Sequence, residues 1–163
     1  MDASRFRKFA YLIRQWFPNV RLVADIAGGK GHLSAELAKY DIKSVTFDKR
    51  NRKQRKKGIE FRKRFFNSDI KTNFDLLVGM HPDEATDLII YEAKRRRLPF
   101  MIVPCCVLPN MYPFDKMVCQ KDAFGRWVNH LVRLSEKEGF KVFTTNLDIK
   151  GKNMVIIGKP ILK

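Results

Sequence analysis

The chain has 163 residues, 45% of them hydrophobic, which suits one folded domain around a single core and excludes a disordered polyelectrolyte. Thirty-three Lys and Arg against 17 Asp and Glu leave a net charge of +16 at pH 7, so a strong positive field and polyanionic partners are expected, nucleic acid first among them. The longest apolar run, residues 100–109, falls short of the ~20 residues a membrane span takes, and the N-terminal stretch carries Arg14 within its apolar part and no small-residue cleavage site, so neither a span nor a secretory leader is expected.

Residues 4–17 place Phe6, Phe9, Ala10, Ile13, Trp16 and Phe17 at helical spacing, with Ser4 as N-cap and Pro18 and Asn19 as the stop. Residues 20–27, VRLVADIA, read as a buried strand, and a glycine cluster leads at once into a helix over 31–40. KSVTFD, residues 43–48, is a second strand. A basic segment follows, in which ten of the sixteen residues from 49 to 64 are Lys or Arg. RFFNSD, ending at Asp69, is read as a short third strand, and FDLLVGM, residues 74–80, as a fourth. Residues 82–97 open with Pro82 and acids and end in bases, the order a helix dipole favours. LPFMIVPCC is a fifth strand, residues 121–139 a helix closed by Gly139, and KVFTTNL and NMVIIGKP two last strands joined by a short turn. No internal repeat or linker appears, so residues 1–163 read as one domain.

Alternation of this kind implies a mostly parallel sheet with helices on both faces. Such α/β sheets bind ligands beyond the carboxyl ends of their strands, which makes the residues after each strand the informative ones. After the first strand stand Asp25, Ala27, Gly28, Gly29 and Gly31. Glycines allow a ligand close to the backbone, and the following helix offers free N–H groups. The spacing fits neither a phosphate-binding GxxxxGK[ST] loop nor a GxGxxG dinucleotide loop. A carboxylate at Asp25 suits a ligand with an ammonium group and would repel a pyrophosphate.

DIAGGKG resembles the E/DxGxGxG loop of Rossmann-like, class I S-adenosylmethionine-dependent methyltransferases, with Ala27 where the first glycine is usual. The resemblance covers residues ~20 to 160 as a fold-level pattern. It implies an α/β, Rossmann-like methyltransferase fold: a seven-stranded, mostly parallel sheet with an antiparallel last strand beside the fifth and an extra helix at 1–18. It implies S-adenosylmethionine as cofactor, with Asp25 near its ammonium, Ala27, Gly28, Gly29 and Gly31 under the methionine portion, Asp48 at the ribose hydroxyls, Asp69 near adenine and Met80 at the methyl end.

GMHPDEAT after the fourth strand and VPCC after the fifth resemble a methyltransferase-like group that includes tRNA ribose 2′-O-methyltransferases, although Asp83 stands where that group has a cysteine. This places His81, Asp83, Cys105 and Cys106 near the reaction. His81 is a candidate general base, with a histidine lining the pocket as the plain alternative. Cys105 or Cys106 would serve a covalent route to pyrimidine C5, but packing under the cofactor is the favoured role for both. The [DNS]PP[YFW] signature of amino-group methyltransferases is missing. The three cysteines, Cys105, Cys106 and Cys119, are odd in number, two are adjacent, and none has metal-ligand spacing. A reducing, cytoplasmic setting without a disulfide framework or metal site follows.

Lys49, Arg50, Arg52, Lys53, Arg55, Lys56 and Lys57, with Arg95 and Arg96, are expected to track phosphates. The functional expectation is methylation of structured RNA, tRNA or rRNA. A non-catalytic RNA-binding module and a protein or small-molecule methyltransferase are the alternatives.

Overall fold

The computed structural model describes residues 4–50, 57–105 and 123–161. In chain order the described elements are α1 (Ser4–Trp16), β1 (Leu22–Ile26), α2 (His32–Ala38), β2 (Lys43–Phe47), β3 (Glu60–Arg62), β4 (Leu76–Met80), a 3-10 turn (Asp83–Ala85), α3 (Thr86–Arg96), β5 (Phe100–Val103), α4 (Ala123–Lys137), β6 (Phe140–Asn146) and β7 (Met154–Pro160). The seven strands form one sheet in the order β3-β2-β1-β4-β5-β7-β6. The first five run parallel, and β7 is inserted antiparallel between β5 and β6.

The central strands are apolar on both faces because both faces are covered. Val23, Leu76, Val78, Met101 and Val103 pack with Phe9, Ala10, Ile13, Leu33 and Leu37 of α1 and α2. Ala24, Leu77, Phe100 and Ile102 pack on the other side with Ile89, Ile90 and Ala93 of α3 and Trp127 and Leu131 of α4. Alternation along each strand thus feeds two cores, one on each face of the sheet. The β5–β7 register is pinned by one close approach: a Cβ on Gly158 would lie 2.1 Å from Cε1 of Phe100, its cross-strand partner. Phe100 in turn meets Phe140 edge-on, with ring centroids 5.0 Å apart.

The third strand differs from the sequence expectation. It lies at Glu60–Arg62, inside the basic segment, and pairs with Val45–Phe47. RFFNSD is turn instead. The Arg64 N–H bonds back to the Arg62 carbonyl, Asn67 Oδ1 accepts from the Asp69 N–H, and Phe66 is drawn into the core between Phe47 and Phe74. Burial of Phe66 and the local hydrogen bonding of Asn67 outweigh the strand propensity of the paired phenylalanines. Two smaller differences concern helix starts. Ser4 lies within α1, and residues 83–85 form a 3-10 turn before α3 begins at Thr86, whose hydroxyl bonds to the Asp83 carbonyl at 2.7 Å.

Candidate active site

Two adjoining cavities open at the carboxyl ends of β1, β2, β4 and β5. The first, of about 340 Å³, is walled by Phe47, Asp48, Phe65, Glu84 and Leu88. The second, of about 580 Å³, is walled by Phe6, Gly28, Gly29, Met80, His81 and Cys105. Ala27, Arg50 and Asp83 line both. Backbone strain gathers here. Of the five non-glycine residues with positive φ among those described, Ala27 (55°), His81 (54°) and Asp83 (49°) all border the second cavity.

The loop after β1 is built on Asp25. Its carboxylate is fully buried and accepts hydrogen bonds from the Ser34 and Thr46 hydroxyls, each at 3.3 Å. Burial raises its pKa to about 7, against the pull of those two hydroxyls. A Cβ on Gly28 would fall 2.2 Å from Asp25 Oδ2, so only glycine lets the loop rest directly on the carboxylate. Asp25 therefore sits beneath the loop rather than on the cavity wall, where the resemblance to the family would set it. Gly28 stands on the wall in its place, and Asp25 Oδ1 is left without a partner.

Asp48, 3% exposed at the end of β2, lines the first cavity. Its Oδ2 accepts the Gly29 N–H at 3.0 Å, and its Oδ1 accepts the Arg50 N–H at 2.8 Å. The Arg50 guanidinium closes a two-point pair on the same carboxylate at 3.1 and 3.2 Å. At the mouth of the first cavity Lys49 bridges to Glu84 at 2.6 Å and lies over the Phe65 ring, joining the segments after β2, β3 and β4.

The far wall of the second cavity carries the polar groups after β4 and β5. His81 is half-buried; burial lowers its pKa, and the nearby Arg5 guanidinium pushes the same way. The Cys105 thiol donates to Asp83 Oδ1 at 2.9 Å. Helix α1 closes this side. Phe6 stacks on His32 with centroids 5.2 Å apart, and Arg5 reaches His81.

The sequence-derived residues thus divide. Ala27, Gly28, Gly29, Asp48, Met80, His81, Asp83 and Cys105 converge on the cavities. Gly31, at φ 77°, caps α2 from behind the loop. Asp69 is exposed, bonded to Asn67, and lies outside both cavities, because the third strand ends earlier and brings Arg64–Phe66 to the rim instead. Cys106, Arg52, Lys53, Arg55 and Lys56 lie outside the described residues. Among the basic candidates, Lys57 is exposed and Lys49 and Arg50 belong to the cavity rim. Arg96 holds the fold together instead. Its side chain is 11% exposed, pairs with Glu92, donates to the Asn67 and Ile70 carbonyls and lies over Phe66. Arg95 also pairs with Glu92, at 2.7 Å. Arg5 and Phe6 were not expected at the site, whereas Phe65 has a sequence reading as a base-stacking or core-anchoring aromatic. Phe6 reads from the sequence as an ordinary member of the apolar stripe of α1.

A ligand with a polar amino-acid end and a ribose fits this arrangement. Gly28 gives a close backbone approach over an incompletely bonded carboxylate, Asp48 can accept from a pair of hydroxyls where they displace the Arg50 guanidinium that occupies both its oxygens, and Phe65 and Leu88 give apolar surface beyond. Among the described residues no helix is long and apolar enough to cross a membrane.

No family model matches the chain. A probable tRNA (uracil-O(2)-)-methyltransferase of Caenorhabditis briggsae is 28% identical over 167 residues, covering 87% of this chain and 28% of that protein. The chain spans little more than a quarter of the length of the curated relatives it matches, 28% in each case. Among solved structures, DesVI of Streptomyces venezuelae superposes with a TM-score of 0.63 at 10% identity, covering 98% of this chain and 92% of that one. Human N-acetylserotonin methyltransferase in complex with SAM gives 0.62 at 13% identity, covering 96% of this chain and 51% of that one. With its strand order and antiparallel seventh strand, the chain has the Rossmann-like fold of class I methyltransferases.

Proposed function

We propose that the protein is an S-adenosylmethionine-dependent methyltransferase acting on structured RNA, with tRNA the favoured class. The observation that carries the cofactor assignment is Asp48, a nearly buried carboxylate that accepts the Gly29 N–H of the glycine loop and lines the first cavity beside Phe65 and Leu88. The bound cofactor would supply an electrophilic methyl group. The chain's own residues would then do three things. The loop and Asp48 would fix the methionine and ribose portions, Phe65 and Leu88 would shield adenine from water, and the wall of Met80, His81 and Asp83 would face the acceptor.

RNA is supported by the net charge of +16, by the basic segment that runs from the rim of the first cavity, and by the description of the curated relatives. Phosphates would be drawn to exposed Lys57 and Lys63 and to Arg64, which lines the first cavity. Calorimetric titration with S-adenosylhomocysteine and transfer of labelled methyl to a tRNA pool test the reading. Asp48→Ala is expected to weaken cofactor binding at least about 100-fold, as loss of a charged acceptor for two hydroxyls implies. Unchanged affinity in that variant would remove Asp48 from the ribose.

A further inference from the structure

The two ring nitrogens of His81 have partners of opposite kind. Arg5 Nη1 lies 3.2 Å from Nδ1, and the Lys152 carbonyl oxygen lies 3.2 Å from Nε2. A guanidinium only donates and a carbonyl only accepts. The ring must therefore carry its proton on Nε2 and present a lone pair at Nδ1. A second proton at Nδ1 would set two N–H groups against each other beside a fixed positive charge. Arg5 is itself incompletely engaged: its Nε is buried at the cavity and has no hydrogen-bond partner.

We propose that Arg5 is a positioning residue that locks His81 in this neutral tautomer and covers Nδ1, and that an anionic group entering the second cavity draws the guanidinium away and uncovers Nδ1 as a proton acceptor. The inference rests on the methyltransferase reading. The acceptor's bond to its proton breaks as the N–H bond forms at Nδ1, the ring becomes imidazolium, and the proton passes to water once the product leaves. Two anions meet the requirement for a partner of Arg5, the carboxylate of the cofactor's methionine portion and a phosphate of the RNA. The other charged groups around the ring are Asp83, which follows β4 and favours the protonated form, and Lys152 in the β6–β7 turn, which opposes it. Lys30 and His32 after β1, Arg50 after β2 and the Cys105 thiol after β5 line the same cavity.

The test is a pH titration of the full chain labelled with ¹⁵N-histidine, with His81→Asn used to assign the signal among the three histidines. Wild type is expected to show the Nε2–H tautomer and a depressed pKa. Arg5→Gln keeps a donor but removes the charge and should raise the His81 pKa, as removal of a like charge does, while Arg5→Lys restores the wild-type value. Circular dichroism establishes that each variant is folded. An Nδ1–H tautomer in wild type, or an unchanged pKa in folded Arg5→Gln, overturns the proposal.

S-adenosylhomocysteine and then an RNA oligonucleotide are added to wild type. A rise in the His81 pKa with the first alone identifies the carboxylate as the releasing anion, and a rise only with the second identifies phosphate. A rise with neither overturns the release step. Binding of S-adenosylhomocysteine is followed in parallel by calorimetry. Its absence would defeat the methyltransferase reading and leave the wild-type and Arg5→Gln comparison intact.

Discussion

Ala27 shows how one methyl group leaves a mark on the site. Its φ of 55° is the conformation in which a glycine costs nothing and an alanine is strained. Ala27→Gly should therefore stabilise the fold by up to about 1 kcal/mol, read as a higher urea midpoint at unchanged slope, even though glycine is more flexible when unfolded. Asp25 leaves a different mark. Its folded pKa of about 7 lies above the ordinary 3.8, so between those values the folded protein holds a proton that the unfolded chain has lost. Stability then falls as pH rises through that window, at no more than about 1.4 kcal/mol per pH unit, and levels off above it. Asp25→Asn should remove this contribution and leave the protein more stable than wild type at pH 7 in urea unfolding. The glycine cluster and Asp48 were legible in the sequence because each stands just after an apolar run. The placement of Asp25 was not. Its neighbours Ser34 and Thr46 lie 9 and 21 positions away, so nothing local showed that the carboxylate would be roofed by Gly28.

Among the elements, the segment from 63 to 75 departs most from the sequence reading, and Arg96 explains how it is held. From the last turn of α3 its guanidinium ties the turn carbonyls of Asn67 and Ile70 to Glu92 and covers Phe66. A run of four cations at 94–97 looks like a surface for phosphates, yet its members face different ways around the helix. Lys94 reaches the Glu138 carbonyl, Arg95 pairs with Glu92, Arg96 is turned inward, and Arg97 takes the left-handed cap. Arg96→Ala should cost about 2 kcal/mol of stability, since it leaves two carbonyls without their donor and takes from Glu92 one of its two guanidinium partners, and should leave the salt dependence of RNA binding unchanged. Chemical unfolding and anisotropy measurements across a salt series check the two halves of that expectation. The long periodic helices and the central strands were legible because both cores impose regular patterns. The three-residue β3 was not, because Glu60–Arg62 shares its composition with the basic run and is defined only by its partner β2.

For the whole molecule, the charge of +16 is the property most open to measurement. If RNA is held through phosphates, its affinity should fall steeply and linearly on a log–log plot between 50 and 200 mM salt, by roughly 10³-fold for about six neutralised phosphates. Fluorescence anisotropy with a labelled tRNA gives the slope, and a flat line would show that the charge serves something other than RNA. The overall topology was readable from the alternation of helices and strands followed by a terminal hairpin. Its assembly has a separate consequence that lies in the position of β7. The strand that joins β5 to β6 comes after both in sequence. On the ribosome, a nascent chain would carry the open edge of β5 and a detached β6 until Met154–Pro160 emerge from the exit tunnel. The parallel half of the sheet can form during synthesis, but the interior edge would stay exposed to pairing with other chains until the final strand slots in. Slow translation across β6 and β7 would prolong that interval.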